Sequence, residues 1–123
     1  DSDERFEKVF SLYFSFITGR EMVSAANAIG SSPKIAQARP GLADRIVGEI
    51  LKLEKATYEH KGEVSPECKN VVRGEAVEAF EAIYPLANDK LTIARFVKNQ
   101  TKNARPKVSK SAGKVLQRLG IKD

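Results

Sequence analysis

One spacing of apolar residues occurs twice in this chain, 36 positions apart: Val72-x3-Ala76-x2-Ala79-Phe80-x2-Ile83 and Val108-x3-Ala112-x2-Val115-Leu116-x2-Leu119. Residues at those separations share one side of a 3.6-residue helix, so both stretches read as amphipathic helices with the same buried seam. A repeated seam implies a unit stacked on a copy of itself rather than a fold arranged around a catalytic cleft. A closed bundle could use the same helices, but it does not require two of them to share a spacing over 12 residues.

The rest of the chain supplies punctuation for six helices. From Arg5 to Ile17, Phe6, Val9, Phe10, Tyr13 and Ile17 mark an inner face that Leu12, Phe14 and Phe16 widen, with Thr18-Gly19 as a stop in the left-handed conformation. Such a helix wants covering on two sides; its surplus face is either buried by its own neighbours or sticky toward a missing repeat, a second copy or a partner. An Ala-rich helix follows from Glu21 to Ala38, with a kink or break expected at Gly30-Ser31-Ser32-Pro33. Pro40 starts a third helix reaching Tyr58 on an inner stripe of Leu42, Ile46, Ile50 and Leu53.

The segment His60 to Pro66 reads as a surface loop, with Ser65 as N-cap and Pro66 at the first helical position of the first repeated helix. Leu91, Ala94, Phe96 and Val97 mark a fifth helix from Asp89 to Asn103, and Gly120 closes the sixth. No alternation of period two suggests a sheet. The expected architecture is all-α: a single domain over residues 1–123, made of three helical hairpins at about 4–38, 40–84 and 89–120.

A chain of 123 residues buries roughly two-thirds of its unfolded surface, enough for a core without staples. The lone cysteine, Cys68, rules out an internal disulfide and favours a reducing compartment; the expectation is a cytoplasmic protein. No apolar run has the length of a membrane span, and Asp-Ser-Asp-Glu-Arg is no targeting segment. Because the chain begins at Asp rather than Met, it is expected to be a processed or trimmed piece, which leaves open whether further helices precede it.

The pattern Val-Arg-x2-Ala-x2-Ala-Phe-x2-Ile at Val72 to Ile83 resembles the second helix of a HEAT repeat, and the copy at Val108 to Leu119 is similar. Asp89 to Leu119 looks like one complete repeat and Pro40 to Ile83 like another with a lengthened internal loop. Glu4 to Ala38 matches poorly, with serines at large apolar positions, so the resemblance covers about two-thirds of the chain. It implies a short right-handed α-α superhelix, or solenoid, that binds partners along its surface and inherits no chemistry. Ser109 stands where Arg73 matches the family's arginine, so an arginine-to-loop hydrogen bond is not expected in the last repeat.

Charge gives the sharpest functional signal. Residues 91–123 hold nine Lys or Arg against only Asp123, so the whole net charge of +5 comes from the last hairpin. Lys107, Lys110, Lys114 and Arg118 fall within about 80° of one another at 100° per residue, and Arg95, Lys98 and Lys102 make a second row. Three readings compete: a solvated end partly paired with Glu75, Glu78 and Glu81, a surface for an acidic protein, and a phosphate-binding surface for nucleic acid.

Catalysis finds no foothold. His60 lies beside Lys61 with no ligand cluster at metal spacing, Cys68 shares a helical face with Val72 as a buried hydrophobe would, and Gly30-Ser-Ser-Pro33 lacks the features of a phosphate loop. DNA glycosylases built from HEAT-like repeats need a carboxylate flanked by aromatics; here there is no Trp, and Asp123 is the one acid in the basic region. The expectation is a non-enzymatic scaffold for protein–protein interaction, without cofactor, metal or membrane. Its rival is a nucleic-acid-binding module using the basic C-terminal hairpin.

Overall fold

A computed structural model describes residues 2–122. Six helices account for most of the chain: α1 Ser2–Ser15, α2 Met22–Ala38, α3 Ala43–Leu51, α4 Pro66–Ile83, α5 Lys90–Gln100 and α6 Pro106–Leu119. Short 3-10 turns extend α1 over Phe16–Thr18, precede α3 over Pro40–Leu42, and follow α3 and α4 over Lys52–Lys55 and Tyr84–Leu86. The protein is all-α apart from two-residue strands β1 Glu59–His60 and β2 Glu63–Val64.

The helices form two layers. In one, α4 lies between α2 and α6; in the other, α3 packs on α2 and α4, and α5 on α4 and α6. Glu67 pairs with Arg105 at the starts of α4 and α6, and Glu81 with Arg118 near their ends. These partners are 38 and 37 residues apart, so the two repeated helices lie side by side and run in the same sense. Side chains link the other layer: Arg45 of α3 pairs with Glu7 of α1, and the Asp44 carboxylate accepts from the amides of Asn88 and Asp89 at the start of α5.

The repeated seam is the core. Val72, Ala76, Ala79, Phe80 and Ile83 are buried, as are Val108, Ala112, Val115 and Leu116, while Leu119 is half-buried at the edge. Phe80 meets Phe96 of α5 edge to face at 5.1 Å between ring centroids, a favoured aromatic geometry. Ser65 caps α4 by accepting from the Cys68 amide, Asp89 caps α5 by accepting from Thr92, and Gly120 ends α6 at φ +71°.

Several local expectations need correction. α2 runs unbroken through Pro33. Proline has no N–H for the Ile29 carbonyl, but the buried Ser32 hydroxyl donates to that oxygen at 2.7 Å and satisfies it. The helical stretch expected to reach Tyr58 ends at Lys55, α3 closing at Leu51 and its 3-10 turn at Lys55, because the chain turns extended at Ala56. The expected loop from His60 contains a tight hairpin, with Lys61 and Gly62 both at positive φ as a two-residue turn of this kind requires. Its base is held by the Glu59 amide, which donates to Arg20 O.

In α1 the inner face is Phe10, Phe14 and Ile17, flanked by half-buried Phe6 and Tyr13; Val9, assigned to that face from the sequence, is 67 % exposed. Leu12 and Phe16 also point outward, and Gly19 ends the turn at φ −73° rather than left-handed. α5 is shorter than the expected helix, with Thr101 and Lys102 forming a turn beyond Gln100.

Candidate functional site

The basic C-terminal hairpin does not act as one surface. On α5, Arg95 and Lys98, with Lys102 in the turn that follows, lie away from the buried Ile93, Val97 and Gln100; on α6, Lys107, Lys110 and Lys114 lie away from the buried Val108, Ala112 and Val115. Because α5 and α6 pack through their buried sides, the two rows leave the hairpin on opposite faces.

Two of the cations are taken up internally. Arg118 makes a bidentate pair with Glu81, at 2.6 and 2.9 Å, and Arg105 pairs with Glu67. At the 36-residue spacing of the seam Glu78 aligns with Lys114, yet the pairs form instead between Glu81 and Arg118 and between Glu67 and Arg105. Neither Glu75 nor Glu78 makes an ion pair among the described residues, and the same holds for Arg95, Lys98, Lys102, Lys107, Lys110 and Lys114. Arg73 donates to both carboxylate oxygens of Glu54, tying α4 to the turn after α3.

A groove of about 240 Å³ runs between α2, α4 and α6 on the outer side of their layer. Ala26, Val71, Gly74 and Val108 give its apolar lining, Glu75 and Glu78 line it from α4, and Arg105, Lys107 and Ser111 line it from α6 and the residue before it. Glycine at position 74 is what lets α6 come this close: a Cβ there would lie 3.0 Å from Val108 Cγ2. Glu75 leans toward α2, where a Cβ on Gly30 would meet its Oε1 at 3.3 Å. Burial, and then the charge of Glu78, push the Glu75 carboxyl above its ordinary value, while Lys107 opposes the shift.

A second hollow, of about 300 Å³, lies between Tyr13 and Phe16 on one side and Ser24, Asn27 and Ser31 on the other. Together with exposed Val9, Leu12 and Val23 it makes the first two helices the most apolar part of the surface. Sequence periodicity picked out Leu12 and Phe16 as surplus. It missed the groove, because the small residues that line it, Gly74 and Ala26, are ones periodicity treats as weak core positions.

His60 is exposed on the hairpin, Cys68 is buried, and no group of His, Cys, Asp or Glu able to hold a metal ion occurs among the described residues. No described helix is long and apolar enough to cross a membrane. Comparisons with protein-family models, curated proteins and solved structures find no match.

Proposed function

We propose that this chain is a HEAT-like helical repeat scaffold: a short right-handed superhelix of three hairpins that presents the outer face of α2, α4 and α6 to another protein, without catalysis, in the cytoplasm. The observation that carries this reading is the parallel placement of α4 and α6 at a separation of 37 to 38 residues, close to the 36-residue spacing of their shared seam. Stacked copies generate a broad surface whose residues can change without disturbing the seam, which suits recognition better than chemistry. Capture of partners by the immobilised chain from nuclease-treated cell extract tests it: a protein retained after nuclease supports the scaffold, and retention that disappears with nuclease overturns it.

A second reading, nucleic-acid binding, is favoured by the unpaired lysines of α6. With Lys107, Lys110 and Lys114 on one face, the slope of log K against log salt would be about −3. No retardation of a labelled duplex at low salt would remove it.

A further inference from the structure

The outer face of the α2–α4–α6 layer carries opposite charges in adjacent rows. Glu75 and Glu78 stand on α4 and line a partly apolar groove together with Lys107 and Arg105, while Lys110 and Lys114 continue the basic row along α6 outside it. Elsewhere on α4 the carboxylates facing α6 are neutralised: Glu67 by Arg105 and Glu81 by Arg118. Glu75 and Glu78 lie between those two pairs and make no ion-pair contact among the described residues; Glu75 is half-buried and feels Lys107 only at longer range.

We propose that this groove docks an extended segment of a protein partner, with an Arg or Lys of that segment seated against Glu75 and Glu78 and a neighbouring Asp or Glu on the α6 lysines. The proposal rests on the scaffold reading and names the chemistry of its partner. A cation at this position offsets the burial of the Glu75 carboxylate and its repulsion from the neighbouring Glu78. The stem of an Arg or Lys covers the apolar lining of Ala26, Val71 and Val108 while its head reaches the carboxylates.

The separation of the charge rows sets the spacing in the partner. Neighbouring helix axes lie about 8–10 Å apart, which an extended chain at about 3.3 Å per residue crosses in about three residues. A basic residue and an acidic residue about three positions apart therefore match the face. The same carboxylates repel a phosphate backbone passing over the lysines, so the layout favours a peptide over nucleic acid.

Selection of random dodecapeptides displayed on phage against the immobilised chain tests this, followed by fluorescence anisotropy of the best synthetic peptide. The expected peptides pair Arg or Lys with Asp or Glu about three residues away. Replacing the basic residue by neutral citrulline, or the protein's carboxylates in Glu75→Gln/Glu78→Gln, weakens binding at least tenfold, and Arg95→Gln/Lys98→Gln leaves it within twofold. Amide shifts of the unsubstituted chain with this peptide fall on Gly74, Glu75 and Ser111, a readout that does not depend on the variants folding. Selected peptides indifferent to Glu75→Gln/Glu78→Gln and shifting other residues overturn the groove assignment and leave the scaffold standing. No selected peptide, or retardation of a labelled 20-base-pair duplex alone, overturns both.

Discussion

Gly74 on α4 and Val108 on α6 approach so closely that a Cβ at position 74 would sit 3.0 Å from Val108 Cγ2. Inside a helix, Gly→Ala normally gains about 1 kcal/mol from propensity. Here the buried Val108 must move, and overpacking of this kind costs about 1–3 kcal/mol. Gly74→Ala is therefore expected to lower stability, or at best leave it unchanged, in a urea titration. Gly113→Ala, within α6 and with nothing inside 4 Å of its Cβ, should instead raise it by about 0.5–1 kcal/mol.

Truncation should separate the seam from the outward face of α1. Leu116→Ala is expected to cost about 2–5 kcal/mol and Phe80→Ala about 3–5 kcal/mol. Val9→Ala and Leu12→Ala, at exposed positions, should stay within about 0.5 kcal/mol. Thermal or chemical unfolding of the four variants checks this order; a loss under about 0.5 kcal/mol for Leu116→Ala would place that residue outside the core.

Much of the fold was legible because helix periodicity and end signals are local. The Ser65 cap with Pro66, the Gly120 stop, and the seam from Val72 to Ile83 with its copy could all be read along the chain. What escaped depends on contacts remote in sequence or on side chains that change the local rules. Pro33 suggested a break because the Ser32 hydroxyl's bond to Ile29 O was not foreseen. Val9 and Phe14 exchanged roles because α1 turns Phe10 and Phe14 inward, with Arg45 of α3 stacked on Phe10 at 4.0 Å from the ring centroid. The basic residues stand out in the sequence, but their division between α5 and α6 faces, and the groove lined by small residues, arise only when the helices pack.

The Ser32 hydroxyl gives a prediction with an internal control. Ser32→Ala leaves the Ile29 carbonyl without a donor and should cost about 1–3 kcal/mol. Pro33→Ala restores an N–H to the helix, so the same serine substitution should cost clearly less in that background. A double-mutant cycle from urea unfolding measures the coupling; full additivity would contradict the assigned role.

Two groups make stability fall as pH rises, one in the alkaline range and one in the acid-to-neutral range. Burial pushes the Tyr58 hydroxyl, which donates to Ile17 O, up to about 12. Its folded value exceeds its ordinary value of 10.0, so its contribution is complete below about pH 10 and is lost as pH rises toward 12. Tyr58→Phe should lose about 1–2 kcal/mol at neutral pH and flatten the alkaline fall in stability.

Glu75 is also raised above its ordinary value, here 4.5, so the fold favours its protonated form. Stability associated with it is present below pH 4.5 and declines as pH rises through the shifted value. Glu75→Gln should therefore gain on the unsubstituted chain between pH 4 and pH 7 in parallel denaturant titrations. A gain in the opposite direction would mean that Glu75 is held by a cation in the free protein.

Disulfide trapping tests the stacked, parallel relation of α4 and α6 most directly. In a Cys68→Ser background, Gly74→Cys/Val108→Cys places two thiols at a close contact of the helices, where a Cβ at position 74 would lie 3.0 Å from Val108 Cγ2, within reach of a bridge. Mild oxidation followed by intact mass should show a loss of two hydrogens for that pair and none for Gly74→Cys/Val115→Cys, whose second cysteine lies about two turns farther along α6. Bridging of the 74–115 pair, or its absence from the 74–108 pair in a folded protein, would contradict the arrangement on which the scaffold rests.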